Sequence, residues 1–210
     1  MGLKGWYEAK IMPKLITCAC SQPQVMKRRG AVVPLARGDV FELGCGGGIN
    51  HDFYDRRAIT SYAGIDPHDG LLEAARAAAR AKGWAADLRQ GRGEAIPFSD
   101  NSFDCVVCTF TLCSVDEPAQ VMREIGRVLR PGGQMLFLEH GRAPDTGVRR
   151  WQERIEPLWK RLAGGCHLSR PIASALASAG FAVETLGEAY TPKVPRFVGW
   201  MEWGIARKPA

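Results

Sequence analysis

The chain has 210 residues, enough to bury one substantial core and too few for two average domains with separate active sites, so one domain over residues 1–210 is expected to hold cofactor and substrate together. Its formal net charge is +6, from 28 basic and 22 acidic side chains. The basic residues are scattered, with only Lys27-Arg28-Arg29 and Arg149-Arg150 as short clusters, which argues against a nucleic-acid partner and leaves a small molecule as the expected one.

Seven cysteines, an odd number with no secretory signal ahead of them, argue against a disulfide framework and point to a reducing, cytoplasmic setting. Cys18-x-Cys20 and Cys105-x-x-Cys108 have metal-like spacings, but the second pair sits in an apolar run where cysteine serves as a small buried hydrophobe, and no metal is expected. No stretch reaches the roughly 20 apolar residues that cross a bilayer. The amphipathic residues 6–20 contain a proline and two lysines, so residues 1–30 read as a helical lid and not as a stable membrane anchor.

In chain order, a short apolar strand is predicted over residues 40–43, followed by glycines, a strand over 62–65 and an alanine-rich helix over 70–82. A strand over 104–109 and a helix over 118–129 come next. The breaker Pro131-Gly132-Gly133 then turns the chain into a strand over 134–139. Helices over 148–162 and 171–179 precede strands over 182–186 and 198–206, whose short connection predicts an antiparallel finish. The alternation gives a Rossmann-like, doubly wound α/β fold, mostly parallel with an antiparallel last strand and helices on both faces.

The segment Glu42-Leu43-Gly44-Cys45-Gly46-Gly47-Gly48 falls just after the first strand, where backbone must approach a nucleotide closely and glycine permits the positive φ angles. The spacing is G-x-G-x-G with an acid two places ahead, unlike the dinucleotide pattern, and it leads into Ile49-Asn50-His51 without a clear helix cap. Asp66 ends the next strand, eighteen residues past Gly48, where a carboxylate can accept hydrogen bonds from vicinal ribose hydroxyls.

These motifs resemble the class I S-adenosylmethionine-dependent methyltransferases. The resemblance implies S-adenosylmethionine as cofactor, with Glu42 orienting the loop or the methionine amine. Gly44, Cys45, Gly46 and Gly48 would flank the methionyl part and Asp66 would hold the ribose, with Asn50 and Pro67 also among the cofactor-binding residues. Gly93, Glu94 and Ala95 match the adenine segment, although Arg92 stands where many relatives carry Asp. Thr109 and Leu112 follow the fourth strand motif, and Tyr7 is a candidate for the methionyl carboxylate. Asn101-Ser102-Phe103-Asp104 and the run from Glu124 to Gly133 are similar to the ubiquinone-type branch.

On the substrate side, His140 at the end of a strand is a candidate base toward a thiol or hydroxyl, or else a histidine bonded to neighbouring backbone. Residues 140–170 read as a substrate-side insert. Trp151 and Trp159 share a broad helical face there that reads as core, and His167, after two glycines, is a second candidate for the pocket wall. Cys108-Thr109-x-x-Leu112-Cys113-Ser114-Val115, Glu139-His140, Glu156-Pro157-x-Trp159-Lys160 and Gly165-Cys166-x-Leu168 resemble the methyltransferase-like small-thiol S-methyltransferases. That resemblance implies a small alkyl thiol such as methanethiol as acceptor. The alternatives are a quinone, phenol or lipid amine, or a domain that binds cofactor without catalysis.

Overall fold

The computed structural model describes residues 20–209; Tyr7, Cys18 and most of the expected lid lie outside them. The elements, in chain order, are α1 (Pro23–Val32), β1 (Gly38–Leu43), β2 (Ile59–Asp66), α2 (Asp69–Ala81), β3 (Ala86–Gln90), β4 (Phe103–Thr109), α3 (Pro118–Val128), β5 (Leu129–His140), α4 (Thr146–Leu162), α5 (Ile172–Ser178), β6 (Ala182–Tyr190), α6 (Arg196–Gly199) and β7 (Trp200–Arg207). Among the described residues the strands form one sheet in the order β3-β2-β1-β4-β5-β7-β6. Only β7 runs against its neighbours, β5 and β6. No helix among the described residues is long and apolar enough to cross a membrane.

The chain leaves β1 toward β2 and β3 on one side and returns to β4 on the other. That reversal opens a crevice at the carboxyl ends of β1 and β4, where ligands bind in this architecture.

Period-2 alternation along the strands builds two cores. Phe41, Leu43, Val106 and Cys108 face α3 and α5. Val40, Cys105 and Val107 face α1 and α2. Cys105 and Cys108 therefore point to opposite faces, as a three-residue offset in a strand requires. In α2, Leu72, Ala75 and Ala79 supply the buried stripe, and Gly83, with φ +66°, ends the helix in the left-handed region that glycine tolerates.

Three differences from the sequence-based expectation have local causes. The edge strand β3 buries only Leu88, so its sequence carries no apolar alternation to reveal it. Pro131-Gly132-Gly133 lies inside β5: Phe103 pairs with Leu129 and Cys105 with Gln134, so residues 130–133 bulge out of an otherwise continuous strand. Along α4 only Gln152 is buried; its side chain accepts from Ala143 N and donates to Gly141 O. Trp151 is 58% exposed while Trp159 is half-buried with its indole nitrogen enclosed, so the two do not share one core face.

Phe41→Ala removes a fully buried ring stacked on Phe103 and should cost about 3–5 kcal/mol in urea unfolding. Trp151→Ala should change stability by less than about 0.5 kcal/mol. An equal loss in both would contradict this division of core and surface.

Candidate active site

A cleft of ≈ 440 Å³ lies at the carboxyl ends of β2, β1 and β4, within the roughly 300–1,000 Å³ of small-molecule sites. Its floor is the loop after β1. Gly44, Gly46 and Gly48 have φ of +71°, +51° and +82°. A Cβ at Gly44 would overlap the Thr111 side chain and one at Gly48 the His51 ring, whereas one at Gly46 meets nothing within 4 Å. Gly44 and Gly48 thus serve close packing, and Gly46 leaves bare backbone toward the cleft. The loop continues into a short 3-10 turn, Ile49–Asp52, in place of an α-helix.

At one end of the cleft Asp66 closes β2. Its Oδ2 accepts from Gly46 N at 3.0 Å and its Oδ1 from His68 N at 2.9 Å, which fixes the carboxylate and leaves each oxygen a further lone pair. Burial raises its pKa, opposed by those two backbone bonds.

Glu42, at the foot of the loop, is buried and fully engaged. Tyr54 and Tyr62 hydroxyls donate to its Oε2, each at 2.7 Å, and Asn50 Nδ2 to its Oε1 at 2.9 Å. Burial pushes its pKa up against those bonds and the nearby Arg29 charge.

At the other end stands Arg29, from α1, which in the sequence is one of the short basic cluster Lys27-Arg28-Arg29. It is 4% exposed; one nitrogen donates to Asn50 Oδ1 at 2.6 Å and Thr109 Oγ1 at 2.8 Å, while the buried Nε has no partner. Its guanidinium lies 5.1 Å from the centre of the Phe110 ring. Phe110 itself has φ +58°, a strained value for a bulky side chain, and it lines the cleft.

The backbone beyond Phe110 is held by Glu139 at the end of β5. Thr111 N and Leu112 N donate to its Oε1 and Cys113 N to its Oε2, at 2.8, 3.0 and 3.1 Å. This wholly buried carboxylate shapes the loop, although burial still raises its pKa.

Of the cofactor residues expected from sequence, Glu42, Gly44, Cys45, Gly46, Asn50, Asp66, Pro67, Gly93, Glu94 and Thr109 line the cleft. Gly48, Ala95 and Leu112 do not; Leu112 is a core residue. Glu94 accepts from Asp116 N and Glu117 N just ahead of α3, and Arg92 pairs with Asp116 at the cleft edge.

Neither expected catalytic histidine lines the cleft. His140 lies behind Phe110, edge to its ring at 5.3 Å, and burial lowers its pKa to about 4 despite the carbonyls of Trp200 and Val198. His167 is turned to Glu156, with Nδ1 3.0 Å from Oε1, and its backbone N–H donates to Cys113 O. Gly164 and Gly165, just before it, form the wall instead.

A methyltransferase-domain family model matches residues 41–137. The YcgJ protein of Bacillus subtilis shares the fold at a TM-score of 0.71 and 16% identity, over 89% of this chain and 98% of that one. The chain belongs to the class I S-adenosylmethionine-dependent methyltransferases, whose methyl donor is S-adenosylmethionine. Within that class it is similar to the human thiol S-methyltransferase TMT1B, 36% identical over 68% of this chain and 59% of the relative. It is also similar to the ubiquinone/menaquinone biosynthesis C-methyltransferase UbiE of Citrobacter koseri, 33% identical over 59% of this chain and 47% of the relative. The chain thus spans about half to three-fifths of the length of these curated relatives.

His51 and His140 are both held neutral, each with its pKa lowered to about 4 by burial. A histidine whose folded pKa lies below its unfolded value of about 6.5 contributes stability above that value and loses it as pH falls toward the folded pKa. Urea stability should therefore drop between about pH 6.5 and 4 by on the order of 1 kcal/mol per histidine per pH unit. His140→Gln and His51→Gln should each flatten that slope, and an unchanged slope in both would remove the buried histidines as its cause.

Proposed function

We propose that this domain methylates a small thiol at the Thr109–Phe110 end of the cleft. The cofactor would lie across the glycine loop, its ribose hydroxyls on the lone pairs left to Asp66 and its methionyl chain over the bare backbone at Gly46. When bound, S-adenosylmethionine supplies an electrophilic methyl on a positively charged sulfonium. The chain's part is to fix that methyl and hold the acceptor in line behind it, a positioning contribution worth several kcal/mol.

The observation that carries the thiol reading is the lack of a base at that end. Among the described residues, the titratable side chains lining it are Arg29, Glu42 and Cys20. Arg29 bears no removable proton at working pH. The Glu42 oxygens are taken by two hydroxyls and an amide. Burial pushes the Cys20 thiol up to about 11, so it too is neutral. An acceptor here must ionise largely by itself. A thiol does so to a small extent near neutral pH, and that fraction suffices because thiolate sulfur is intrinsically very nucleophilic, whereas a phenol of comparable pKa gives a weaker nucleophile and needs a base the cleft does not offer. The walls contributed by Phe110, Gly164 and Gly165 suit a small acceptor. The similarity to human TMT1B supports the same reading.

With labelled S-adenosylmethionine and a panel of thiols, quinols and phenols, label should pass to the thiols, and kcat/KM should rise with pH toward the acceptor thiol's own pKa. His140→Gln and His167→Gln should keep that profile. A rise centred near pH 6.5 that disappears in either variant would make that histidine the base, and label in quinols alone would discard the thiol assignment. Separately, Asp66→Ala should weaken S-adenosylhomocysteine binding by about 1.5–3 kcal/mol in calorimetry, the worth of hydrogen bonds to a charged group; unaltered affinity would take Asp66 off the ribose.

A further inference from the structure

We infer that Arg29 is the anchor for the cofactor's α-carboxylate, so that α1, outside the glycine loop and the matched family segment, supplies the ion-pairing half of the cofactor site. The inference rests on the methyltransferase reading and names a residue that neither the loop motif nor the family match covers, since the match begins at residue 41.

Burying a guanidinium is costly unless a charge or hydrogen bonds compensate it. Arg29 is almost wholly buried, and among the described residues no carboxylate lies within ion-pairing distance of it. Asn50 stands between it and Glu42, accepting from the arginine and donating to the glutamate, so the two side chains are bridged without touching. Among the described residues its hydrogen-bond partners, Asn50, Thr109 and the Cys20 thiol, are all neutral; the buried Nε has none, and the side chain lines the cleft. The arrangement lacks an anion with two acceptor oxygens, the chemistry a planar guanidinium fork binds best.

Position agrees with that ligand. Asp66 ends β2 and Thr109, on which Arg29 rests, ends β4, with β1 between them. Two strand spacings put them about 10 Å apart. From C3′ of the ribose to the carboxyl carbon of S-adenosylmethionine there are seven bonds, about 8–9 Å at the roughly 1.2 Å per bond of an extended chain. A ligand with its ribose on Asp66 therefore has the length to bring its carboxylate to Arg29. The aromatic face of Phe110 keeps the guanidinium flat in that place.

The test compares S-adenosylhomocysteine, which carries the carboxylate, with 5′-methylthioadenosine, which keeps the nucleoside and lacks the amino-acid tail. In calorimetry, Arg29→Gln should lower affinity for the first about 10- to 100-fold, the scale of a lost charge-assisted pair, and leave the second unchanged. Arg29→Lys should recover part of the loss. Unaltered methylthioadenosine binding also certifies that the variant's cleft is folded. Equal weakening of both ligands, or of neither, would overturn the assignment and leave Arg29 a structural partner of Asn50. Wild-type protein that binds neither ligand would overturn the cofactor reading and this inference with it.

Discussion

A single buried carboxylate, that of Glu42, sets the geometry on which the site depends. A carboxyl group in the interior is tolerated only when its oxygens are hydrogen-bonded, and here Tyr54, Tyr62 and Asn50 supply those bonds. Through those three partners, the end of β1 is tied to β2, to the segment after the glycine loop and to the 3-10 turn. Asn50 and Arg29 both donate to Thr109, which extends the network to β4 and α1. Segments distant in sequence thus meet at one point because each supplies a donor or acceptor that another cannot leave unmet.

The parts of this arrangement that were legible in the sequence are those whose chemistry is local. The glycine loop needs positive φ at fixed offsets, Asp66 needs only to end a strand, and the strands and helices of the matched segment carry clear apolar periods. The ends of those elements fall within a few residues of expectation. What was not legible depends on partners far along the chain. Arg29 sits in a cluster of three basic residues that reads as solvated surface; only the packed structure shows Arg29 buried beside Thr109. Phe110 reads as an apolar residue at a strand end, and nothing in its neighbours announces a left-handed backbone. The β5 bulge reads in sequence as a clean stop because proline and two glycines interrupt a helix and a strand alike.

Glu139 and His140 show why adjacency misleads. Consecutive strand residues point to opposite faces, so only one of the pair can reach the loop beyond β4, and sequence alone does not say which. Histidine, with its ordinary pKa near neutrality, has the identity of a catalyst. The glutamate occupies the decisive position, where it gathers the N–H groups of Thr111, Leu112 and Cys113. Its contribution is to fix a loop; His140, held neutral behind Phe110, contributes packing.

The sheet's two borders carry a consequence for association. At one border β3 turns Asp87 and Arg89 outward as an ion pair, and at the other β6 presents Glu184 and Glu188 across a register shift. Unpaired strand edges invite another chain to continue the ladder, and charge and irregular register are what discourage it. Growth of this sheet by a neighbouring molecule is therefore disfavoured at both borders.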